Sequence, residues 1–148
     1  WVGLAGLVGG YCYTGEPVVY KRLGLGAALS FVLMGPLMNY GAWLALTDLA
    51  SPLPVLLGLP PSLLVPVLML SNELRDHARD SAMGIRTLVV RIGFRRGQVL
   101  YAALLALAFL LPALYAALGL VHPAACAVLL TLPLAAKAYR KVAEARPR

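Results

Sequence analysis

Charge is scarce in this sequence. Asp, Glu, Lys and Arg supply 13% of its 148 residues, about half the share found in an ordinary soluble domain. The gaps between charges are long: 25 residues from Arg22 to Asp48, 24 from Asp48 to Glu73, and 40 from Gly97 to Ala136, interrupted only by His122. A helix crosses about 30 Å of hydrocarbon in about 20 residues, so the last gap is long enough for two crossings. With 61% hydrophobic residues and a mean hydropathy of +0.81, a soluble globular fold is excluded. The chain reads as all-α, a polytopic transmembrane helix bundle in which residues 1–148 form a single domain.

Cysteine is nearly absent as well. Cys12 and Cys126 stand alone in apolar text with no ligand spacing around them, which favours small buried hydrophobes over a disulfide or metal role. No internal repeat is visible, against a transporter built from repeated halves. Acidic residues number six against thirteen Lys and Arg, a net charge of +7. Such an excess could address nucleic acid, but its placement excludes that partner. Lys21 and Arg22 flank one connection, Arg75, Arg79, Arg86, Arg91, Arg95 and Arg96 fill another, and Lys137, Arg140, Lys141, Arg146 and Arg148 crowd the C-terminus. The alternate connections, around Asp48 and around 120–123, hold no Lys or Arg. This is the positive-inside pattern of a multi-pass protein in the lipid bilayer. It puts loops 13–23 and 73–97 and the C-terminus in the cytoplasm, beside anionic lipid.

The chain starts at Trp1 inside an apolar run, with neither Met nor a basic leader. That is not a signal peptide, and residues 1–12 read as the lower half of a span that begins upstream. A loop over 13–24, punctuated by Gly15 and Pro17, precedes a second span over 25–46, which Pro36 should kink. Pro52, Pro54, Pro60 and Pro61 extend the next connection to about residue 59. A helix from Pro61 to Ser71 would measure only about 16 Å, so it must continue through Asn72 and beyond. Gly84 supplies a stop, residues 85–97 form a basic loop or short surface helix, and two last spans cover 98–118 and 123–138. Trp43, Tyr101, Tyr115 and Tyr139 near span ends suit an aromatic belt.

The stretch SNELRDHARDSAMGIRT, residues 71–87, carries the chemistry. Asn72, Asp76 and Asp80 recur every four residues and share one helical stripe. Oxygen ligands so arranged suit Mg²⁺, which keeps several waters and is commonly shared between carboxylates and a substrate's phosphates. Arg75 and Arg79 form a neighbouring stripe able to clamp phosphate oxygens, though only one of them can point fully inward, and Arg86 can reach back past Gly84. The same text also reads as a plain cytoplasmic loop in which Asp76 pairs with Arg79. His77 falls on the solvated face, as a pairing partner.

NELRDHARDSAMGIRTLVVRIG, residues 72–93, resembles the second aspartate-rich motif of the UbiA superfamily of intramembrane prenyltransferases, in the branch that prenylates 1,4-dihydroxy-2-naphthoate. Asn72, Arg75, Asp76, Asp80, Gly84, Thr87, Leu88 and Gly93 fall in register with that branch. GYCYTGEPVVYKRLGLG, residues 10–26, resembles its YTG loop. Glu73 replaces an Asn of the motif, Ile85 a Lys, and Glu16 a Gly. The resemblance implies a nine-helix bundle in the cell inner (plasma) membrane and a Mg²⁺-dependent transferase of menaquinone biosynthesis. Its substrates would be a polyprenyl diphosphate and the dihydroxynaphthoate, which loses carbon dioxide on prenylation. Asp76, Asp80 and Asn72 would hold the metal, and Arg75, Arg79, Arg86 and Lys21 the diphosphate. Tyr13 and Tyr20 would line the acceptor pocket. The family's first motif, N-D-x-x-D-x-x-x-D, is not in this text and is expected upstream of Trp1, so residues 1–148 alone are expected to be inactive. Hydroxybenzoate, homogentisate or haem acceptors are the alternatives within the superfamily, and a transporter fragment is the alternative outside it.

Overall fold

The computed structural model describes residues 1–16 and 20–146, apart from the side chains of Thr14, Lys21 and Arg22. Pro17 therefore lies outside the described residues. Helices α1 (Val2–Thr14), α2 (Gly26–Val32), α3 (Met38–Thr47), α4 (Leu53–Leu57), α5 (Leu59–Arg75), α6 (His77–Ala82), α7 (Leu88–Ile92), α8 (Phe94–Ala117) and α9 (Leu132–Glu144) follow in chain order. Short 3₁₀ segments cover Tyr20–Leu23 and Pro123–Thr131. No strand occurs among the described residues.

Helices α2 and α3 are one rod, Gly26–Thr47, long and apolar enough to cross a membrane, and α8 is the other such helix among the described residues. The kink expected at Pro36 is a π turn over Leu33–Leu37. Proline has no N–H for the i−4 carbonyl, and a wider turn absorbs the defect. Gly35 sits in that turn against α5, where a Cβ would stand 2.6 Å from the Ser62 Cβ. Polar groups close the same crossing: Asn39 Nδ2 donates to Ser62 Oγ at 3.2 Å, and Ser62 Oγ donates to the Gly58 carbonyl at 2.5 Å. Small residues and interhelical hydrogen bonds of this kind hold helices together where lipid gives no hydrophobic drive.

The core lies between α5, α7 and α8, where Val67, Leu70, Leu74, Val89 and Tyr101 form a buried cluster. Leu70 and Val89 are fully inaccessible. Outside that seam, large apolar side chains such as Leu7, Leu46, Leu68, Leu110 and Leu130 are exposed. Hydrocarbon, unlike water, imposes no penalty on them. Tyr101 and Tyr115 depart from the belt expectation, since both are buried. The Tyr115 hydroxyl turns inward and donates to the Leu56 carbonyl at 2.8 Å.

The last expected span is not one α-helix. Residues Pro123–Thr131 are 3₁₀ and only Leu132–Glu144 is α-helical. Pro133 brings no N–H to the Leu129 carbonyl, which the Leu132 amide takes instead in a tighter i−3 bond. Helix α9 is held at its far end by Gln98, whose Nε2 donates to the Val142 carbonyl at 2.6 Å. The Ala145 carbonyl accepts from the same atom at 3.2 Å. The start of α8 and the end of α9 thus share one end of the bundle. Cys12 and Cys126 are unpaired and half-buried.

Candidate functional site

The sequence after Leu70 turns polar within one helix, and the backbone decides where those groups point. Helix α5 runs to Arg75, and Asp76 (φ −94°, ψ 6°) separates it from α6. The i→i−4 bonding continues across that break on the critical positions. The Asp76 N–H donates to the Asn72 carbonyl at 2.9 Å, and the Asp80 N–H to the Asp76 carbonyl at 2.9 Å. Asn72, Asp76 and Asp80 are thereby stacked on consecutive turns, as their spacing predicts. All three line a pocket of about 290 Å³ together with Tyr13, Gly26, Met69, Glu73, Arg75 and Thr87.

Helix α6 stops at a Schellman motif. Gly84 adopts φ +69°, its N–H donates to the Ser81 carbonyl at 3.2 Å, and the Ile85 N–H donates to the Asp80 carbonyl at 2.8 Å. A left-handed residue at this place needs no Cβ, which is why glycine ends the helix. The chain then doubles back ahead of α7, so that Thr87, its N-cap, returns to the pocket wall.

Of the arginines, Arg75 is the one that lines this pocket. Its Nε and Nη2 donate to the two Asp76 oxygens at 3.0 and 3.1 Å, the parallel fork geometry by which guanidinium also grips phosphate. The pair is accessible, with the Arg75 side chain 70% and the Asp76 side chain 40% exposed. The Asp76–Arg79 pairing allowed by spacing is replaced by this one. Arg79 and Arg86 are exposed and do not line the pocket. The Arg86 carbonyl accepts from Arg91 Nε at 3.1 Å, so the loop is tied to its own arginine. The Lys21 side chain lies outside the described residues.

The two tyrosines divide. Tyr13 sits on the last turn of α1, not in a loop, and lines the pocket. Tyr20 does not line it; its ring meets Tyr13 edge-on at 5.5 Å, and its hydroxyl donates to the Gly9 carbonyl. Burial pushes the Tyr20 phenol above its ordinary 10.0, with Cys12 and Tyr13 adding to the rise. Tyr20 thus contacts the pocket through Tyr13.

His77 lies on another face of the cluster. It packs edge-on against Phe94 at 5.5 Å and borders a separate pocket with Arg75, Glu144 and Arg146. Stacking, not ion pairing, is what the described residues offer it. A larger groove of about 610 Å³ between α8 and the C-terminal segment is lined by apolar side chains and Tyr139, and brings no charged group to its wall.

Two contributors escape sequence reasoning. Glu73 Oε2 accepts from the Val89 N–H of α7 at 3.0 Å, placing an anion at a helix start. Thr87 is buried beside it. The acid-for-amide change at Glu73 was a signal that this position does something particular here, but not what.

No group of three or more His, Cys, Asp or Glu side chains converges among the described residues. The donor set is two carboxylates and an amide, too few for an all-protein cage and suited to Mg²⁺ that also takes water and phosphate oxygens. A membrane-length helical bundle with such a polar pocket at the end of its central helix defines a class, the helical integral membrane proteins with a site at one end of the spans.

Within that class the chain belongs to the UbiA prenyltransferase family, whose family model matches residues 1–148. It is similar to the 1,4-dihydroxy-2-naphthoate octaprenyltransferase of Bacillus subtilis (strain 168), 30% identical over 95% of this chain and 46% of that protein. It is also similar to the UbiA prenyltransferase domain-containing protein 1 of Homo sapiens, 31% identical over 87% of this chain and 36% of that protein. The protein of that name in Dictyostelium discoideum is 28% identical over 74% of this chain and 33% of its own length. The chain spans half or less of the length of these relatives. No solved structure matches it.

Proposed function

We propose that the protein carrying this chain transfers a polyprenyl group from its diphosphate to 1,4-dihydroxy-2-naphthoate, with loss of the acceptor's carboxylate, at the cytoplasmic face of the plasma membrane. The observation that carries this reading is the convergence of Asn72, Asp76, Asp80 and Arg75 on one pocket at the end of α5. Family membership supports the reaction class, and the Bacillus subtilis relative supports the acceptor.

In this reading Asp76 and Asp80 would hold Mg²⁺, and Asn72 would orient it or the diphosphate. Mg²⁺, when bound, supplies charge that stabilises the diphosphate as leaving group. Arg75, whose fork now grips the Asp76 carboxylate, would take phosphate oxygens by the same geometry and leave Asp76 to the metal. The allylic C–O bond breaks with its electrons leaving on the diphosphate. The electron-rich ring of the acceptor then bonds to the allylic carbon, and its carboxylate departs as carbon dioxide. Apolar helices around the site hold the isoprenoid tail and keep water from the allylic cation. Tyr13, propped by Tyr20, forms part of the acceptor wall. Loops 13–23 and 73–97 and the C-terminus lie in the cytoplasm, where a soluble acceptor reaches the pocket.

Relatives named for the UbiA domain alone are as similar as the naphthoate enzyme, which favours a second reading in which another aromatic acceptor uses the same site. The test is product formation in membranes from a polyprenyl diphosphate and each acceptor in turn. Prenylated naphthoquinol should form with release of carbon dioxide, stop with EDTA and return with MgCl₂. Transfer to hydroxybenzoate or homogentisate alone would move the function to the second reading, and EDTA-insensitive transfer would remove the metal from it.

A further inference from the structure

Thr87 stands where a helix-capping residue stands, yet its side chain does not cap. It is the N-cap of α7, in extended conformation (φ −60°, ψ 167°), and makes no side-chain cap bond. Threonine at this position ordinarily accepts from the second or third N–H of its helix. Here the second, that of Val89, goes to Glu73 at 3.0 Å. The backbone of Thr87 behaves as an N-cap should, its carbonyl accepting the Arg91 N–H at 3.1 Å. Only the hydroxyl is released from the task.

The released hydroxyl is buried. Thr87 is 4% exposed, and its Oγ1 has no hydrogen-bond partner among the described residues. Leaving such a buried group unpaired is costly, so a partner is expected in the working state. Thr87 lines the pocket that Asn72, Asp76, Asp80 and Arg75 also line. That pocket provides carboxylates as acceptors and a guanidinium as donor, and a neutral donor fixed in its wall suits an anion bound between them.

We propose that the Thr87 hydroxyl is a phosphate-binding group, donating its hydrogen bond to an oxygen of the bound diphosphate, and that Glu73 keeps it available by capping α7 in its place. The proposal rests on the diphosphate reading of this pocket and adds to it a ligand-contacting residue outside the aspartate–arginine cluster. It also gives the acid at position 73 a purpose: an acceptor strong enough to hold the Val89 amide leaves Thr87 no local partner.

The test compares wild type, Thr87→Val and Thr87→Ser in the protein carrying this chain, purified in detergent, with inorganic pyrophosphate and MgCl₂ as the probe. Binding and thermal midpoint are both read, because a structural role and a ligand role move them oppositely. Without probe, Thr87→Val should melt at or above the wild-type temperature, since a methyl replaces an unpaired buried hydroxyl. With probe, its affinity should fall about tenfold, the loss of one hydrogen bond to a charged group, while Thr87→Ser keeps most of it. Thr87→Ala repeats the comparison at smaller volume should the valine form not be recovered. Wild-type affinity in Thr87→Val or Thr87→Ala would overturn the proposal while leaving the pocket assignment standing. Equal losses in the serine and valine forms would also overturn it, by showing that shape and not the hydroxyl matters. A wild-type protein that binds no pyrophosphate with Mg²⁺ would remove the diphosphate reading and this residue's role together.

Discussion

Single side chains near the pocket do different work from what their types suggest. Tyr20 is the clearest case: its hydroxyl donates to the Gly9 carbonyl of α1 and its ring packs edge-on against Tyr13. Tyr20→Phe should cost about 1 kcal/mol of stability, the usual worth of one hydrogen bond. Its pH dependence follows from burial. The folded protein raises the phenol above 10.0, so it favours the neutral form. That contribution is fully present below pH 10 and is lost as pH rises through the folded-state value. Melting curves of wild type and Tyr20→Phe should therefore differ at pH 8 and converge in the alkaline range. A difference that stays constant beyond pH 10 would mean that the phenol is not the titrating group. Glu73 and Thr87 show the same lesson from the other side, since neither role can be read without knowing that residue 73 meets residue 89 in space.

At the scale of elements, apolar patterning and glycine placement made most helices legible. The rod Gly26–Thr47, the stop at Gly84 and the stripe Asn72–Asp76–Asp80 all follow from spacing, proline chemistry and the need of a left-handed turn for glycine. Gly84→Ala should cost about 1 kcal/mol, because φ +69° brings a Cβ toward the following carbonyl. Hydrogen exchange at the Ile85 amide, whose bond to the Asp80 carbonyl closes the motif, should accelerate first. Unchanged protection there would show that the turn does not fix the end of α6. The C-terminal segment was less legible. Residues 123–138 have the composition of a span, but Pro133 removes a bond that composition does not register, and the result is 3₁₀ followed by α9. That Arg75 and not Arg79 lines the pocket was not legible for a similar reason, since the helix breaks at Asp76 and spacing on an unbroken helix does not register it.

For the whole molecule, the basic segments gather at one end. The pocket joins the end of α1, the start of α2, the end of α5 and Thr87, and Gln98 ties the end of α9 to the same end. Helix α8 leads away from it to Tyr115, which meets Leu56 at the other end. With Cys12 and Cys126 replaced by Ala, single cysteines at Met83 and Glu144 should resist an impermeant thiol reagent in intact cells, and one at Leu120 should react. Labelling of positions 83 and 120 from the same side would contradict the orientation proposed from charge. The helical class and the aspartate stripe were thus accessible from the order of charged and apolar residues. The support beneath the stripe was not, because it depends on contacts between distant segments. The central claim is that Asp76 and Asp80 together bind a prenyl diphosphate through Mg²⁺. Its most direct measurement is Mg²⁺-dependent binding of a non-ionisable prenyl thiolodiphosphate to wild type and to the Asp76→Asn, Asp80→Asn double variant in the same membranes. Saturable binding that requires Mg²⁺ in the wild type and is lost in the double variant, with membrane insertion unchanged, is the predicted result. Equal binding by both proteins would contradict it.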